Sequence, residues 1–246
     1  MNSKTIDEFI KGIRAQYPPF TIIDSSFEEL KKTNFNKNEC LFVWDARLGS
    51  ILFAKGFKNL LGLNDSEITL NEFTDQFHKN DKTLILNIGQ TAVQYSLNHP
   101  SSNTEHCLYV SHRIKRANGD FIKILAKSTP YEIDNKGLIT KFLVILSDIS
   151  FVDTTDIVQY KFIAKGLDAQ SFHSQIFAHN ESIFTSREKE IIKEIKNGYS
   201  SPKIAENLKI SIHTVATHRK KIMKKSGCHS SEELLLFCKK NGILLD

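Results

Sequence analysis

The side chains of this sequence that are best suited to binding a ligand are concentrated in one short segment, KISIHTVATHRKKIMKK, at positions 209–225. The segment contains six Lys or Arg, two His and no acidic residue. Charged helix faces usually mix both signs, because opposite charges three or four residues apart stabilise one another. Cations alone suit a polyanion instead, since Lys and Arg reach phosphates and the N7 and O6 acceptors of guanine. The predicted chemistry is therefore nucleic-acid binding rather than catalysis.

A helix over this segment would separate its apolar and basic side chains. At 100° per residue, Ile212, Val215 and Ile222 fall on one side, with Met223 at its margin. The opposite side carries the small Ala216 and the polar or basic residues His213, Thr217, Lys220, Lys221 and Lys224. One face is predicted to pack against neighbouring helices while the other enters a major groove. The alternative for such a charge run is a solvated face that only keeps the protein soluble.

Capping signals predict two helices on the N-terminal side of the basic segment. Thr185 and Glu188 have the spacing of a capping box, and Gly198 suits the position just after a helix end. The next helix is predicted to begin with Ser201 as its N-cap and Pro202 at the first helical position. Both helices carry apolar residues at helical spacing, so each is expected to bury one face.

Two further caps complete the pattern. Ser211 is predicted to cap the basic helix, and a second box, Ser230 to Glu233, opens a fourth helix. Two short helices with a tight turn, the second of them basic, form the helix-turn-helix pattern. Residues 185–246 hold 13 Lys or Arg against 7 Asp or Glu, whereas the other 184 residues hold 20 against 21. This asymmetry predicts a polyanionic partner for the last quarter of the chain.

Taken together, residues 182–243 resemble the LuxR-type helix-turn-helix, also called the GerE domain. The matching residues are Thr185 to Glu190, Gly198, Ile204-Ala205, Leu208, Ser211, Thr214-Val215, His218 and Ile222. Two positions depart from the family: Ala216 replaces a frequent Lys or Arg, and Ser226 replaces a usual Leu. The resemblance implies that the third helix lies in the major groove and that the fourth helps to pair two protomers. Ala216 implies a different base preference.

The helix projection and the resemblance give the candidate DNA contacts. Thr217 and Lys220, with Ala216 beside them, are the candidates for base edges. The candidates for phosphate contact are Ser201, Lys203, Thr214, His218, Lys221 and Lys224. Binding is expected at two half-sites of double-stranded DNA by a homodimer, in a transcriptional regulator. The alternative is a protein-interaction adaptor, whose basic helix grips an acidic protein partner.

The front of the chain alternates with a period of two. Residues 106–117 and 121–132 are predicted strands joined by an NGD turn, and DNKG turns into a third strand, LITKFLVILSDIS. Before them, Asp81 is predicted to cap a long helix, and CLFVWDA with SILFAKG predicts another hairpin. Two strands, helices and three more strands make an α+β order.

This order resembles a PAS domain over residues 37–150, an antiparallel sheet with flanking helices. The supporting segments are VWDARLGSILFAKGFKNLLGL, FHKND, RIKRANGDFIKI and the closing LSDIS. PAS domains commonly sense small ligands or mediate protein contact, so the resemblance implies a sensor, a small-molecule ligand being one alternative. The whole chain is then α+β followed by an all-α, four-helix unit.

The sequence offers no pattern for an enzyme, and the cofactor stays unknown. No paired carboxylates, GxSxG elbow or Walker A loop is present, and neither is the GxNCRFLQ helix that flavin photosensors of this fold carry. The single Trp44 is predicted to lie in the core, and four scattered Cys predict no metal site. The histidines that could ligate haem are predicted to lie in loops or at exposed strand positions: His78, His99, His106 and His112.

The predicted organisation has four segments. They are a helical extension over 1–36, the PAS-like sensor over 37–150, a connector over 151–181 and the LuxR-type domain over 182–246. The extension is predicted to be helical over residues 5–16, packing on a partner or capping the sheet. Val158, Tyr160, Phe162 and Ala164 alternate, so part of the connector is predicted to be an additional strand rather than a free linker. No run approaches the roughly 18 apolar residues of a membrane span, which predicts a cytoplasmic protein.

Overall fold

The chain divides into two compact units, Met1–Ala169 and Gln170–Asp246. A computed structural model describes residues 6–15, 17–18, 27–100, 106–178, 184–240 and 243. The division falls inside the predicted connector, so the four-segment organisation remains a prediction in its finer boundaries.

The N-terminal unit is built on one six-stranded antiparallel sheet. Its strands are β1 (Glu39–Asp45), β2 (Ser50–Lys55), β3 (Cys107–Lys115), β4 (Phe121–Ile133), β5 (Ile139–Asp148) and β6 (Gln159–Ile163). They lie in the order β2-β1-β5-β4-β3-β6. The register of β1 on β5, in which Trp44 lies opposite Phe142, joins the first hairpin to the later meander. The predicted α+β PAS-like fold is confirmed.

The connector contributes the sixth strand. Residues 159–163 pair antiparallel with β3, placing Tyr160 opposite Val110 and Phe162 opposite Leu108. Of the two readings of this segment, the strand is therefore the correct one for residues 159–163. The sheet consequently extends well past the predicted end of the sensor at residue 150.

The described helices of this unit are α1 (Ile6–Arg14), α2 (Glu28–Lys32), α3 (Phe57–Leu60), α4 (Leu70–Asp75) and α5 (Lys82–Asn98). All of them except α2 pack on the face of the sheet that carries Phe42 and Trp44. Phe27, at the start of α2, stacks instead on Phe53 and Tyr131. The predicted N-terminal helix is present as α1, which buries Ile6, Phe9 and Ile13 and packs on α4 and α5. Residues 5 and 16, the outer ends of that prediction, lie outside the described residues. Within this unit, α1 therefore belongs to the wall that caps the sheet.

The predicted cap of α5 is wrong in its chemistry. Asp81 does precede the first residue of the helix, but its side chain makes no capping hydrogen bond. Its carboxylate instead accepts hydrogen bonds from the Arg113 guanidinium, at 3.0 Å from Nε and 2.6 Å from Nη2. Arg113 also pairs with Asp156 at 2.7 Å. The Asp81 carboxylate thus binds Arg113 on β3 and not the backbone at the start of the helix. Because the two residues are far apart in the chain, local sequence does not reveal this contact.

In the described residues of the C-terminal unit, the regular secondary structure consists of helices joined by short turns. It comprises α6 (Ala169–Ala178), α7 (Ser186–Lys196), α8 (Ser201–Asn207), α9 (Ile212–Ser226) and α10 (Ser231–Lys240), with α6 beginning at the boundary between the units. The buried residues of α7 to α10 include Ile191, Ile192, Ile204, Val215, Ile222, Leu234 and Phe237. These side chains form the shared apolar core that the helical spacing predicted.

Most of the predicted caps are confirmed, with one displaced. The Thr185–Glu188 box is complete, since each side chain bonds the other residue's backbone N–H. The N–H of Thr214 donates to the Ser211 hydroxyl at 3.0 Å. The predicted N-cap Ser201 is wrong: Ser200 is the N-cap and Ser201 is the first helical residue, with Pro202 next. Because Ser200 and Ser201 are adjacent hydroxyl residues, sequence alone did not separate them.

Ile212 corrects the predicted core. It was expected to pack beside Val215 and Ile222, yet it is 55% exposed while those two are fully buried. Around the helix axis, Ile212 points roughly 60° away from Val215 and roughly 80° away from Ile222. It is also the first residue of α9, so its side chain lies at the edge of the buried face and remains in solvent.

This contrast makes a testable prediction about the core. In a fragment of residues 170–246, Val215→Asp should abolish the cooperative thermal unfolding transition followed by circular dichroism. An uncompensated buried charge costs about 3–5 kcal/mol, much of a small domain's stability. The matched control Ile212→Asp places the same charge three residues earlier, in solvent, and should keep the transition. Equal effects of the two substitutions would contradict the packing described for α9.

Candidate nucleic-acid interface

A tight turn sets α9 against α8. Lys209, in the turn, has φ of 52°, a left-handed conformation that is uncommon for residues other than glycine. The N–H of Ile210 donates to the Ala205 carbonyl at 3.0 Å, which closes the end of α8. Ser211 then caps α9 through the N–H of Thr214. The basic helix thus leaves the turn with a fixed start.

Two of the cations on α9 hold the helix in place. The Lys225 ammonium lies 2.6 Å from the Glu188 carboxylate, which is buried and belongs to the cap of α7. On another side, the Arg219 guanidinium donates to the Ser231 hydroxyl of α10 at 3.1 Å. Helix α9 is therefore attached by polar contacts to both α7 and α10, in addition to its buried apolar face.

The pKa of Glu188 follows from this arrangement. Burial opposes its ionisation, but the hydrogen bonds from Lys225 and Thr185 outweigh burial and lower its pKa below the usual carboxyl range. The carboxylate is therefore charged at neutral pH, where it serves α7 as a cap and α9 as an ion-pair partner.

The remaining cations of α9 project into solvent. Lys220, Lys221 and Lys224 are exposed, and no acidic side chain within the described residues pairs with them. These three residues are called here the basic face. They are adjacent on the helix surface, because Lys224 follows Lys220 by four residues and Lys221 by three. They present uncompensated positive charge opposite the buried Val215 and Ile222.

The two candidates beside the basic face are small. Ala216 is exposed, so the position that carries a cation in much of the family is here an open methyl group. Thr217 is also exposed, and its hydroxyl donates to the His213 carbonyl one turn earlier at 3.0 Å. With that proton used inside the helix, the Thr217 methyl group remains for an outside contact.

The other predicted site residues divide between α8 and α9. Ser201 is half-buried at the start of α8, and Lys203 pairs with Glu206 at 2.9 Å, both partners being exposed. Thr214 is half-buried, with its hydroxyl 2.8 Å from that of Ser211. His218 is half-buried, and its Nδ1 has no hydrogen-bond partner within the described residues. The predicted base-reading residues and four of the phosphate candidates thus share α9, while Ser201 and Lys203 belong to the helix before it.

Ser226 shows how the second departure from the family pattern is accommodated. It is buried, and its hydroxyl donates within α9 to the Ile222 carbonyl at 3.0 Å. A buried hydroxyl is costly only when it lacks a hydrogen bond. The core therefore tolerates serine where the family usually has leucine.

The N-terminal unit contains a second feature, an apolar cavity between its sheet and helices α1, α4 and α5. Its volume is about 130 Å³, and its lining includes Phe9, Phe42, Trp44, Phe73, Gly89 and His112. A smaller cavity of about 50 Å³ shares Trp44, Gly89, Leu108 and Ser128 with it. The two spaces therefore meet on the same side of the sheet.

The histidines here correct a prediction. His106 and His112 were predicted at exposed or loop positions, but they are 3% and 1% exposed. The sequence did contain a signal for burial of His112. It lies two residues from both Val110 and Ile114 on β3, so its side chain shares their inward face. His106 lies against the Ser96 hydroxyl at 3.0 Å.

With this geometry in view, comparison with known proteins identifies the C-terminal unit. Residues 182–238 match the family described as bacterial regulatory proteins, luxR family. This segment is a LuxR-type helix-turn-helix domain.

Individual relatives match over the same part of the chain. The uncharacterized response regulatory protein YgeK of Escherichia coli K12 is 36% identical over 77 residues, covering 31% of this chain and 51% of YgeK. The oxygen regulatory protein NreC of Staphylococcus aureus is 40% identical over 62 residues, covering 25% of this chain and 29% of NreC. This chain thus spans about half of one relative and less than a third of the other.

Among solved structures, the VqmA dimer of Vibrio cholerae, described as a LuxR-type receptor, covers 89% of both chains at 17% identity with a TM-score of 0.35. At that score the fold assignment rests on the strand order and helix pattern of the chain itself.

No helix in the described ranges is both long and apolar enough to cross a membrane. The same residues contain no cluster of three His, Cys, Asp or Glu suited to a metal ion.

The buried Glu188 predicts how the C-terminal unit responds to acid. A carboxyl whose pKa is lowered by folding stabilises the native state above the ordinary pKa of about 4.3 and loses that effect as the pH falls below it. We expect the free energy of unfolding of the 170–246 fragment, measured with urea, to drop through this range. Glu188→Gln removes the charged acceptor of Lys225 and should lower stability at pH 7 by about 1.5–3 kcal/mol and flatten the drop. Glu190→Gln, an exposed change on the same helix, is the control, and an unchanged pH profile in Glu188→Gln would refute the assignment.

Proposed function

We propose that the protein is a DNA-binding transcriptional regulator, in which the LuxR-type domain binds double-stranded DNA and the PAS-like unit acts as a sensor. The protein would act in the cytoplasm as a homodimer. The LuxR-type family is generally non-enzymatic, and we assign this chain no catalytic role.

The observation that carries the proposal is that the cations of α9 fall into two groups, those bound within the domain and those exposed to solvent. Lys225 and Arg219 are used to hold the helix, whereas Lys220, Lys221 and Lys224 are exposed without acidic partners in the described part of the chain. A basic face that served only solubility could lie on any helix, whereas this one lies on the second helix of a helix-turn-helix. DNA phosphates supply the missing negative charge, and binding them releases counterions.

The roles of individual residues follow from their positions on α9. Thr217 and Lys220, with the small Ala216 beside them, are proposed to meet base edges. The proposed phosphate contacts are Ser201, Lys203, Thr214, His218, Lys221 and Lys224. Lys203 would exchange its exposed pair with Glu206 for a phosphate at little cost, because surface ion pairs contribute only about 0–1 kcal/mol.

Two copies of this domain would bind two half-sites, each with α9 in a major groove. The sensor role is supported by the apolar cavity of the N-terminal unit, since ligand sites are concave, mostly apolar and lined with few polar groups. A small molecule held there is proposed to change how the regulator binds DNA.

The first test is electrostatic. Binding of the full chain to labelled random duplex should weaken steeply with salt, and the log–log slope should fall by about 0.9 for each phosphate contact removed. Lys221→Ala/Lys224→Ala should weaken all sequences alike and flatten the slope. The control is Lys189→Ala/Lys193→Ala, which removes the same charge from exposed positions of α7. Equal losses in both double variants would reduce the effect to net charge, and duplex binding insensitive to salt would refute the counterion-release account. A chain that does not bind duplex at all would favour the adaptor that grips an acidic protein.

The second test concerns specificity. Each base contact by Lys220 or Thr217 is worth about 1–3 kcal/mol of discrimination. Selection from randomised duplexes should show Lys220→Ala losing preference at one position of each half-site. Ala216→Lys should tighten binding and shift an adjacent position toward guanine. Identical motifs from the wild type and both variants would mean that these residues do not read bases, leaving DNA shape as the source of specificity.

A further inference from the structure

The size of the cavity in the N-terminal unit matches a small ring. A cavity of about 150 Å³ lined by Leu, Ile and Phe in another protein stays dry and binds benzene. The space here is about 130 Å³, with a further 50 Å³ beside it. Its walls combine aliphatic side chains with aromatic rings, among them Phe42, Trp44, Phe73 and Phe77. Aromatic walls favour a planar guest, because rings gain from offset or edge-to-face contacts beyond the area they bury.

Gly89 indicates that this space is not a packing accident. It lies within the 17-residue helix α5 and lines both cavities. Glycine weakens a helix interior relative to alanine. Its φ is not positive, and a Cβ there would meet the Phe9 ring at 3.6 Å, an ordinary contact. Neither backbone strain nor crowding therefore requires glycine at this position, and the open space beside it is what a methyl group would remove.

His112 supplies the polar feature of the cavity. Its Nδ1 lies 3.2 Å from the Arg113 carbonyl, an acceptor, so Nδ1 carries the hydrogen and Nε2 is left as an acceptor. Burial lowers the pKa of His112 to about 4, which keeps the ring neutral. Among the described residues, Nδ1 is the ring nitrogen that makes a hydrogen bond, and none is made by Nε2. Because His112 lines the cavity, this unused acceptor suits a hydrogen-bond donor on a guest.

The lining also excludes charged guests. Among the residues that the structure describes, no Lys, Arg, Asp or Glu lines either cavity. An ionised ligand would lose its hydration without a compensating charge. Carboxylates, phosphates and ammonium compounds are therefore disfavoured.

From these observations we infer that the cavity binds a neutral aromatic molecule of about one ring that donates one hydrogen bond to His112. This inference rests on the proposed sensor role, of which it names the ligand class.

The test uses the protein's own reporter. Trp44 is the single tryptophan and lines both cavities. Its fluorescence, excited at the red edge of the tryptophan band, should change saturably when phenol is added to the full chain. Toluene has the same shape without a donor and should bind about ten-fold more weakly. Benzoate should not bind.

Two substitutions separate the parts of the inference. His112→Phe keeps a ring but removes the acceptor, so phenol should lose about ten-fold in affinity while toluene loses little. Gly89→Ala should raise the thermal midpoint of the N-terminal unit yet weaken both ligands by about five-fold, because the methyl group occupies ligand space.

Each outcome decides a separate question. Equal binding of phenol and toluene, or an unchanged preference in His112→Phe, overturns the role of His112. Failure of both neutral rings to bind overturns the ligand class. Measuring DNA binding on the same samples keeps the proposed function separate, because a chain that binds duplex but no ring keeps its DNA-binding role and loses only this inference.

Discussion

The contact between Glu188 and Lys225 is the constraint on which the C-terminal unit depends. One buried carboxylate caps the start of α7 and pairs with a cation near the end of α9. Burying such a charge is costly unless hydrogen bonds and an opposite charge compensate it, and here both are present. The orientation of α9, and hence of the basic face, is thereby tied to the first turn of α7.

This constraint explains how one helix can be rich in cations and still fold. If all five Lys or Arg between 219 and 225 faced solvent together, their repulsion would oppose the helix. Lys225 is neutralised by Glu188, and Arg219 is directed to Ser231. The repulsion that remains among Lys220, Lys221 and Lys224 is what a polyanion would relieve on binding.

Much of the C-terminal unit could be predicted because its signals are local. The Thr185–Glu188 box and the Ser211 cap each depend on residues three apart, and both are confirmed. Ile212 was misplaced because helical periodicity gives an angle, but not whether a neighbour exists at the end of the helix. In the N-terminal unit the errors have a tertiary cause. Asp81 was assigned to the nearest helix end, whereas Arg113, 32 residues later, takes its carboxylate.

The cavity shows a different limit of sequence reasoning. The alternation along β3 places His112 inward, but a general expectation that histidines are exposed obscured it. Gly89 carries no local signal at all, since only the cavities that it lines give meaning to a missing side chain. The predicted contacts of the basic face with DNA remain a matter for the experiments on Lys220, Lys221 and Lys224.

The sixth strand has a consequence for reach. Strand β6 is five residues long and lies at one edge of the sheet, where it pairs with β3 alone, so its pairing is easier to break than that of an inner strand. While β6 is paired, residues 164–168 connect the sheet to α6, and within them the Lys165 carbonyl accepts a hydrogen bond from the Tyr95 hydroxyl. If the strand detached, its five residues would add about 17 Å of extended chain. The pairing of β6 with β3, the strand that carries His112, therefore sets how many residues connect the sheet to the LuxR-type domain.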